Sequence, residues 1–384
     1  MSEFSVVFNP YQLSGNMKIL FIITRADTVG GAQVHVRDLA KALTEANHDV
    51  LIITGERGLY TNNLDEMGIN FISYSSLQRS INPVKDLKAL KELLKVIKEF
   101  KPDLISTHSS KAGMLGRLAA KITNKPCLFT AHGWAFTEGV PEPNRSIYKV
   151  LEKIVEPLAD KIICVSENDR FLGTKTGMSS DRLIKVHNGM PDISVNFIAD
   201  TTISNPVRIV MIARFDKQKD HTTLFKAFQD IPNAQLELVG DGPNLEVMKE
   251  LAINLGIIDT IKFLGYRSDI PQILSQAQIF TLISNWEGFP RTTIEAMRAG
   301  LPVIVSDVGG AAEAVIEGVT GYSIAQGDVD SLHQKLLTLV SDSKLRQEMG
   351  NQARKRYEKQ FIFNTMFEQT FNVYEQVLNR RKIP

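Results

Sequence analysis

The chain has 384 residues, 43 % of them hydrophobic, and a formal net charge of +1. That length exceeds one ordinary core, so two domains are expected, each with enough apolar residues to bury an interior. The near-neutral charge argues against a general nucleic-acid binder but leaves room for a local basic patch.

Cys127 and Cys164, the two cysteines, give neither a disulfide framework nor zinc-ligand spacing, and they fit a reducing cytosol. No apolar run approaches the ~20 residues that span a bilayer. The segment 1–16 lacks a basic start followed by an apolar stretch, so it does not read as a signal peptide; a dispensable extension is expected there. A cytoplasmic protein is the resulting expectation.

From Met17 the pattern alternates strand and helix. Ile19–Ile23 reads as a strand, and Gly30-Gly31 precedes a helix over Ala32–Asn47. Val50–Thr54 and Ile69–Ser73 read as strands, with a lysine-rich helix over Pro83–Phe100. Leu104-Ile105-Ser106 leads to His108, and Cys127–Thr130 leads to His132. Ile162–Val165 is a further strand, and Lys185-Val186 leads into Asn188-Gly189. Such alternation predicts a parallel sheet covered on both faces.

Asp200–Asn205 is short and mostly polar and reads as a linker. A second series of strands follows at Val207–Ile212, Leu236–Val239, Ile261–Phe263, Ile279–Ile283 and Val303–Val305. The fold class expected is therefore α/β, with two facing, doubly wound, Rossmann-like domains over 17–199 and 206–360. Ligands belong at the C-terminal ends of such strands. The last segment, 361–384, is helical in pattern, with Phe367, Phe371, Tyr374 and Leu378 on one face, and is expected to cross back to the first domain.

The chemistry concentrates in Glu287-Gly288-Phe289-Pro290-Arg291-Thr292-Thr293-Ile294-Glu295. Pro290 suits the first turn of a helix and Gly300 its C′ position. Glu287 then falls in the loop after a strand, and Glu295 lies between one and two turns into the helix. Two carboxylates suit a polyol and the free N–H groups of a helix start suit a phosphate, which together suggest a sugar nucleotide. Upstream, Arg214 and Lys219 follow a strand and precede a helix, where two long cations can neutralise a diphosphate.

By these residues the chain resembles the GT-B retaining glycosyltransferases of the family 4 (group 1) type. The resemblance runs from about Met17 to the last helix. It is carried above all by Glu287, inside Ser284-Asn285-Trp286-Glu287-Gly288-Phe289-Pro290, with Glu295 following after seven residues, and by Arg214 with Lys219. It implies that Glu287 contacts sugar hydroxyls, Glu295 the ribose, and Arg214 and Lys219 the diphosphate, with Lys217 a nearer decoy. Gly288, Phe289, Arg291 and Thr292 complete the implied donor site.

Gly30-Gly31 resembles the family's first-domain glycine loop but is no dinucleotide fingerprint, because the spaced third glycine is missing. His132, in Thr130-Ala131-His132-Gly133-Trp134, stands where the family carries an active-site histidine, and His108 is similarly placed. Gly309-Gly310-Ala311-Ala312-Glu313 matches a family glycine turn, with Ala312 where proline often stands. The His108 and His132 strings look most like enzymes of surface-polysaccharide and O-antigen assembly.

The resemblance thus implies transfer of a sugar from a nucleotide-diphosphate donor, UDP-linked by expectation, to a glycan acceptor on a polyprenyl diphosphate. No metal and no cofactor are expected: Asp328-Val329-Asp330 mimics a metal motif but reads better as a helix N-cap. A nucleotide-sugar epimerase of the same fold and a non-catalytic sugar-binding protein are the alternatives. Lys85, Lys88, Lys91, Lys95 and Lys98 share one helical face beside Leu87, Leu90, Leu94 and Ile97. That face is either a solvated flank or a surface attracted to anionic lipid, at ~1 kcal/mol per lysine. The second reading would place the protein peripherally at the inner face of the cell membrane.

Overall fold

The computed structural model of the protein describes residues 15–137 and 140–380. The extension expected over 1–16 thus falls, as far as residue 14, outside the described residues, as do the last four positions.

The first sheet has seven strands: β1 (Lys18–Ile23), β2 (Asp49–Thr54), β3 (Phe71–Ser73), β4 (Leu104–His108), β5 (Cys127–Ala131), β6 (Lys161–Cys164) and β7 (Leu183–Lys185). Their spatial order is β3-β2-β1-β4-β5-β6-β7. Between them run α1 (Gly31–Glu45), α2 (Leu59–Glu66), α3 (Pro83–Phe100), α4 (Ser110–Ile122), α5 (Asn144–Val155) and α6 (Glu167–Lys175). β1 pairs in parallel with both β2 and β4.

The second sheet has six strands: β8 (Val207–Ile212), β9 (Ala234–Val239), β10 (Ile261–Gly265), β11 (Ile279–Leu282), β12 (Val303–Ser306) and β13 (Gly321–Ile324). Their order is β10-β9-β8-β11-β12-β13, and each neighbouring pair is parallel. The connecting and following helices are α7 (His221–Phe228), α8 (Leu245–Asn254), α9 (Ile270–Ser275), α10 (Arg291–Arg298), α11 (Val329–Ser341), α12 (Ser343–Gln360) and α13 (Phe363–Arg380). Because helices cover both faces, the central strands are mostly apolar. Ile209, Val210, Ile279, Phe280, Val303, Ile304 and Val305 are all fully buried, each contributing ~1.5–3 kcal/mol of burial. The strand order reverses between β8 and β11, so a crevice opens at their C-terminal ends.

The chain divides into two compact units. One holds the described residues up to Thr130, Ile154–Ile162 and those from Val373 onward; the other holds Ala131–Lys153 and Ile163–Asn372. In the first unit Tyr374 of α13 is buried and its hydroxyl donates to Ser106 Oγ at 3.4 Å.

Three sequence expectations need correction. Pro290 is the N-cap of α10, in extended conformation, and the helix begins at Arg291. The apolar face of α3 is Ala89, Leu93, Val96 and Ile97, spaced by three and four, whereas Leu87 is exposed and Leu90 and Leu94 are half-buried. The edge strand β13 has no counterpart in the expected strands: its four residues begin on Gly321, whose φ of +152° is a glycine conformation.

Candidate active site

Two loops meet at the switch point of the second sheet. One leaves β8 and runs from Ala213 to Asp220; the other leaves β11 and runs from Ile283 to Pro290. They are stitched by a short antiparallel contact between Lys219 and Ser284. Asp220 N donates to Ile283 O at 2.9 Å and Asn285 N donates to Gln218 O at 2.7 Å. That register sets Lys219 opposite the Glu287 loop.

Lys219 Nζ forms an ion pair with Glu287 Oε1. The same oxygen accepts from Ser284 Oγ at 2.7 Å, and Oε2 accepts from Gln218 Nε2 at 3.3 Å. Glu287 is 6 % exposed, so its charge is held by these groups and scarcely by water. The Ser284 amide is fixed in turn by Ser306 Oγ, at the end of β12, at 3.0 Å. Ser284 and Gln218 thus belong to the site, though the sequence singled out neither.

The Glu287 loop is backed by glycines. Gly309 has φ +56°, and a Cβ there would lie 1.9 Å from Glu287 O; only glycine fits. Next to it, Gly310 N donates to Gly288 O at 2.8 Å. A Cβ on Gly288 would lie 2.8 Å from His132 O and 2.9 Å from Gly133 Cα, so the site loop and the His132 turn touch backbone to backbone.

α10 carries the remaining donor-site candidates. No side chain caps its first turn. Arg291, Thr292 and Thr293 open it, so their N–H groups face outward from the helix start. Arg291 is buried and its Nη1 donates to Gly189 O at 3.1 Å. Glu295, the fifth residue of α10, is half-buried. Phe289 is buried, its ring stacked on His187 at 4.4 Å between centroids, and its carbonyl accepts from Asn188 Nδ2 at 2.9 Å. Its visible work is to anchor the loop.

His132 keeps part of its surface open. Yet the protein packed around it, and then the charge of Arg291, hold its pKa down at about 3. At neutral pH it is an uncharged imidazole, suited to hydrogen bonding and not to carrying charge.

Arg214 is exposed and makes no ion pair among the described residues. Its position is set by Phe215, which is buried, stacks on His221 at 4.2 Å, and holds Asp241 O at 3.1 Å through its own N–H. Lys217 is exposed too, and its carbonyl accepts from Asn285 Nδ2 at 3.1 Å.

Glu313 stands apart from the Lys219–Glu287 cluster. Its carboxylate accepts from the first two amides of α6, Glu167 N and Asn168 N, both at 2.8 Å, and from His187 Nε2 at 2.8 Å. Burial alone would raise its pKa, but the hydrogen bonds from His187 and the two amides outweigh that and hold it low.

In the first unit, Gly30 is the extended N-cap of α1 and Gly31 its first residue. His108 ends β4, fully buried, with Nε2 3.0 Å from Ser106 Oγ. The second unit therefore gathers Lys219, Glu287, Gly288, Arg291 and His132, while Gly30 and Gly31 lie in the first.

Asp328 caps α11 through Oδ1, which accepts from Ser331 N at 3.0 Å. Among the described residues no helix is long and apolar enough to cross a membrane.

Comparison with known proteins accounts for both halves of the chain. Residues 29–192 match the family described as Glycosyltransferase Family 4, and residues 196–356 match Glycosyl transferases group 1. The chain is 30 % identical over 360 residues to the UDP-Gal:alpha-D-GlcNAc-diphosphoundecaprenol alpha-1,3-galactosyltransferase of Escherichia coli, covering 88 % of this chain and 92 % of that protein. It is 26 % identical over 380 residues to the N,N'-diacetylbacillosaminyl-diphospho-undecaprenol alpha-1,3-N-acetylgalactosaminyltransferase of Campylobacter jejuni, covering 91 % and 97 %. Among solved structures, Anabaena Alr3699/HepE in complex with UDP and glucose superposes with a TM-score of 0.82 at 23 % identity, covering 94 % of this chain and all of that one. The chain belongs to the group 1, family 4 glycosyltransferases and has their GT-B fold.

Proposed function

We propose that this glycosyltransferase moves a sugar, with retention, from a UDP-sugar to a glycan carried on a polyprenyl diphosphate, in cell-surface polysaccharide assembly. The observation that carries the reading is the Lys219–Glu287–Ser284 cluster beside the open start of α10. It offers a cation and helix amides to a diphosphate and a fixed carboxylate to a sugar. The acceptor class is supported by the two relatives, each named for a diphosphoundecaprenol-linked acceptor. The donor base is supported by the fold neighbour solved with UDP. Retention is supported by the alpha-1,3 linkage in both relatives' names, since common sugar nucleotides are α-configured.

In this reading the segments 17–199 and 206–360 act as acceptor and donor domains. Gly30 and Gly31 admit the acceptor, and His132 approaches the sugar as a neutral hydrogen-bonding group. Glu295 holds the ribose. The acceptor hydroxyl attacks the anomeric carbon on the face that the diphosphate leaves. The carbon–phosphate-oxygen bond breaks, and a leaving phosphate oxygen takes the hydroxyl proton. Arg214, Lys219 and the α10 amides stabilise the charge growing on the diphosphate, with no metal in that role. The lysine face of α3, where all five lysines are exposed, draws the protein to anionic lipid at the inner face of the membrane.

The test is mass spectrometry of reactions pairing a panel of UDP-, GDP- and TDP-sugars with short-chain polyprenyl-diphosphate sugars. A mass gain of one sugar from a UDP donor, α-linked by NMR, is expected. Donor turnover only with a different acceptor class would overturn the assignment.

A further inference from the structure

α5 has a face that the described residues leave uncovered. Ile147, Val150 and Ile154 are 47 %, 58 % and 65 % exposed. Spaced by three and four, they line one stripe of the helix, whereas Glu152 and Val155, on the opposite side, are buried. Helices in solution normally turn such a stripe inward.

The charge beside the stripe names its occupant. Lys149 and Lys153 are exposed and flank it on one edge. Lys153 Nζ reaches over Gly177, 3.0 Å from where a Cβ there would sit. Gly177 lies just beyond the end of α6, whose Phe171 is 56 % exposed and has Lys175 Nζ over its ring, 5.9 Å from the centroid. Apolar side chains and lysines therefore continue from α5 onto α6. On the two helices themselves the carboxylates are buried or paired, and the exposed Glu142 and Asp181 lie in the turns outside them. Glu152 and Asp169 are buried, Glu142 accepts from Ser146 N, and Glu167 is paired with Arg170.

We propose that this surface seats α5 in the interface of an anionic bilayer, with Ile147, Val150, Ile154 and Phe171 among the acyl chains and the lysines at the headgroups. A second copy of the chain fits less well, because a symmetric seam along the stripe would gather both sets of lysines. The inference rests, for its purpose, on the lipid-linked acceptor proposed above: an enzyme seated this way meets its acceptor at the membrane surface. It differs from attraction through the α3 lysines in one measurable respect. Binding by inserted apolar groups survives salt, whereas binding by exposed charges is screened.

The experiment uses the full chain, sedimented with vesicles of phosphatidylglycerol and phosphatidylcholine at 0.1 M and 1 M NaCl. The parent is expected to keep a measurable bound fraction at 1 M. The triple variant Ile147→Ser, Val150→Ser, Ile154→Ser is expected to bind at least tenfold more weakly at both salts. A single Ile154→Trp variant guards against misfolding in the triple: its emission is expected to shift to the blue on vesicle addition and to be quenched by brominated lipid. Parent-like binding by the triple, or an unshifted tryptophan, overturns the proposal. So does a parent dimer in the ultracentrifuge that the triple breaks to monomer with vesicle binding unchanged. Turnover on a water-soluble acceptor is read in parallel and is expected to be equal in parent and triple. Loss of that turnover in the parent would sink the catalytic reading and leave the vesicle result standing.

Discussion

Lys219 and Glu287, from two loops 68 residues apart in sequence, neutralise each other at the C-terminal edge of the second sheet. In the proposed reaction each has another partner, the diphosphate for Lys219 and the sugar for Glu287. The pair therefore holds both groups in place while the donor is absent. Removing one member of a buried pair typically costs ~3–5 kcal/mol. Lys219→Met should accordingly lower the melting temperature and cut turnover at least a hundredfold. The double variant Lys219→Met, Glu287→Gln should regain stability in thermal scans without regaining activity. Full turnover in Lys219→Met would remove the lysine from the diphosphate site.

Glu295→Ala should weaken donor binding more than folding. A charged hydrogen bond contributes ~1.5–3 kcal/mol, so affinity for the nucleoside diphosphate should fall about tenfold or more. Calorimetry decides, and unchanged affinity takes Glu295 out of the site.

Activity should persist in excess EDTA, because the proposed diphosphate ligands are cations and helix amides. Asp328→Ala should leave turnover intact yet lower the melting temperature slightly, since it removes the cap on Ser331 N. Rates that vanish on chelation and return with manganese or magnesium would refute metal independence.

His221 supplies an acid-sensitive contribution to stability. Burial, then the charge of Lys219, push its pKa down from 6.5 to about 4. A group whose folded pKa is depressed binds protons better unfolded, so stability is full above about pH 6.5 and is lost as pH falls toward 4. His221→Phe keeps the stack on Phe215 and removes the titration. Between pH 6.5 and 4 its melting temperature should decline less steeply than the parent's; parallel declines would assign acid sensitivity to other groups.

Replacing Lys85, Lys88, Lys91, Lys95 and Lys98 by glutamine should weaken binding to anionic vesicles at 0.1 M salt and change nothing at 1 M, where the Debye length is ~3 Å. Two of these lysines already face carboxylates, Lys88–Glu92 and Lys95–Glu99, each at 3.9 Å. Equal vesicle binding by the quintuple variant at 0.1 M would make the face a solvated one.

The periodic parts of the fold were legible because parallel strands buried on both sides must be apolar throughout, as Val207–Ile212 largely is. α3 was legible in its ends, since Asn82 caps Lys85 N and Pro83 opens the helix. Its buried face was not, because Leu87 is as apolar as Leu93 and only packing tells them apart. Strand β13 escaped because four residues starting on glycine carry little pattern. In the site, residue types and spacing pointed to Glu287 and Lys219. Their pairing, and the parts of Ser284 and Gln218 in it, arise where two distant loops meet, which no local pattern encodes.

The turn from Gly309 to Glu313 has a mechanical consequence. One end of it, at Gly310 N, grips the loop that bears Glu287; the other, at Glu313, grips the start of α6 and His187. Five residues thus act as a common footing for two segments more than a hundred positions apart. A substitution that displaces this turn would therefore move the supports of the Glu287 loop and of α6 at once.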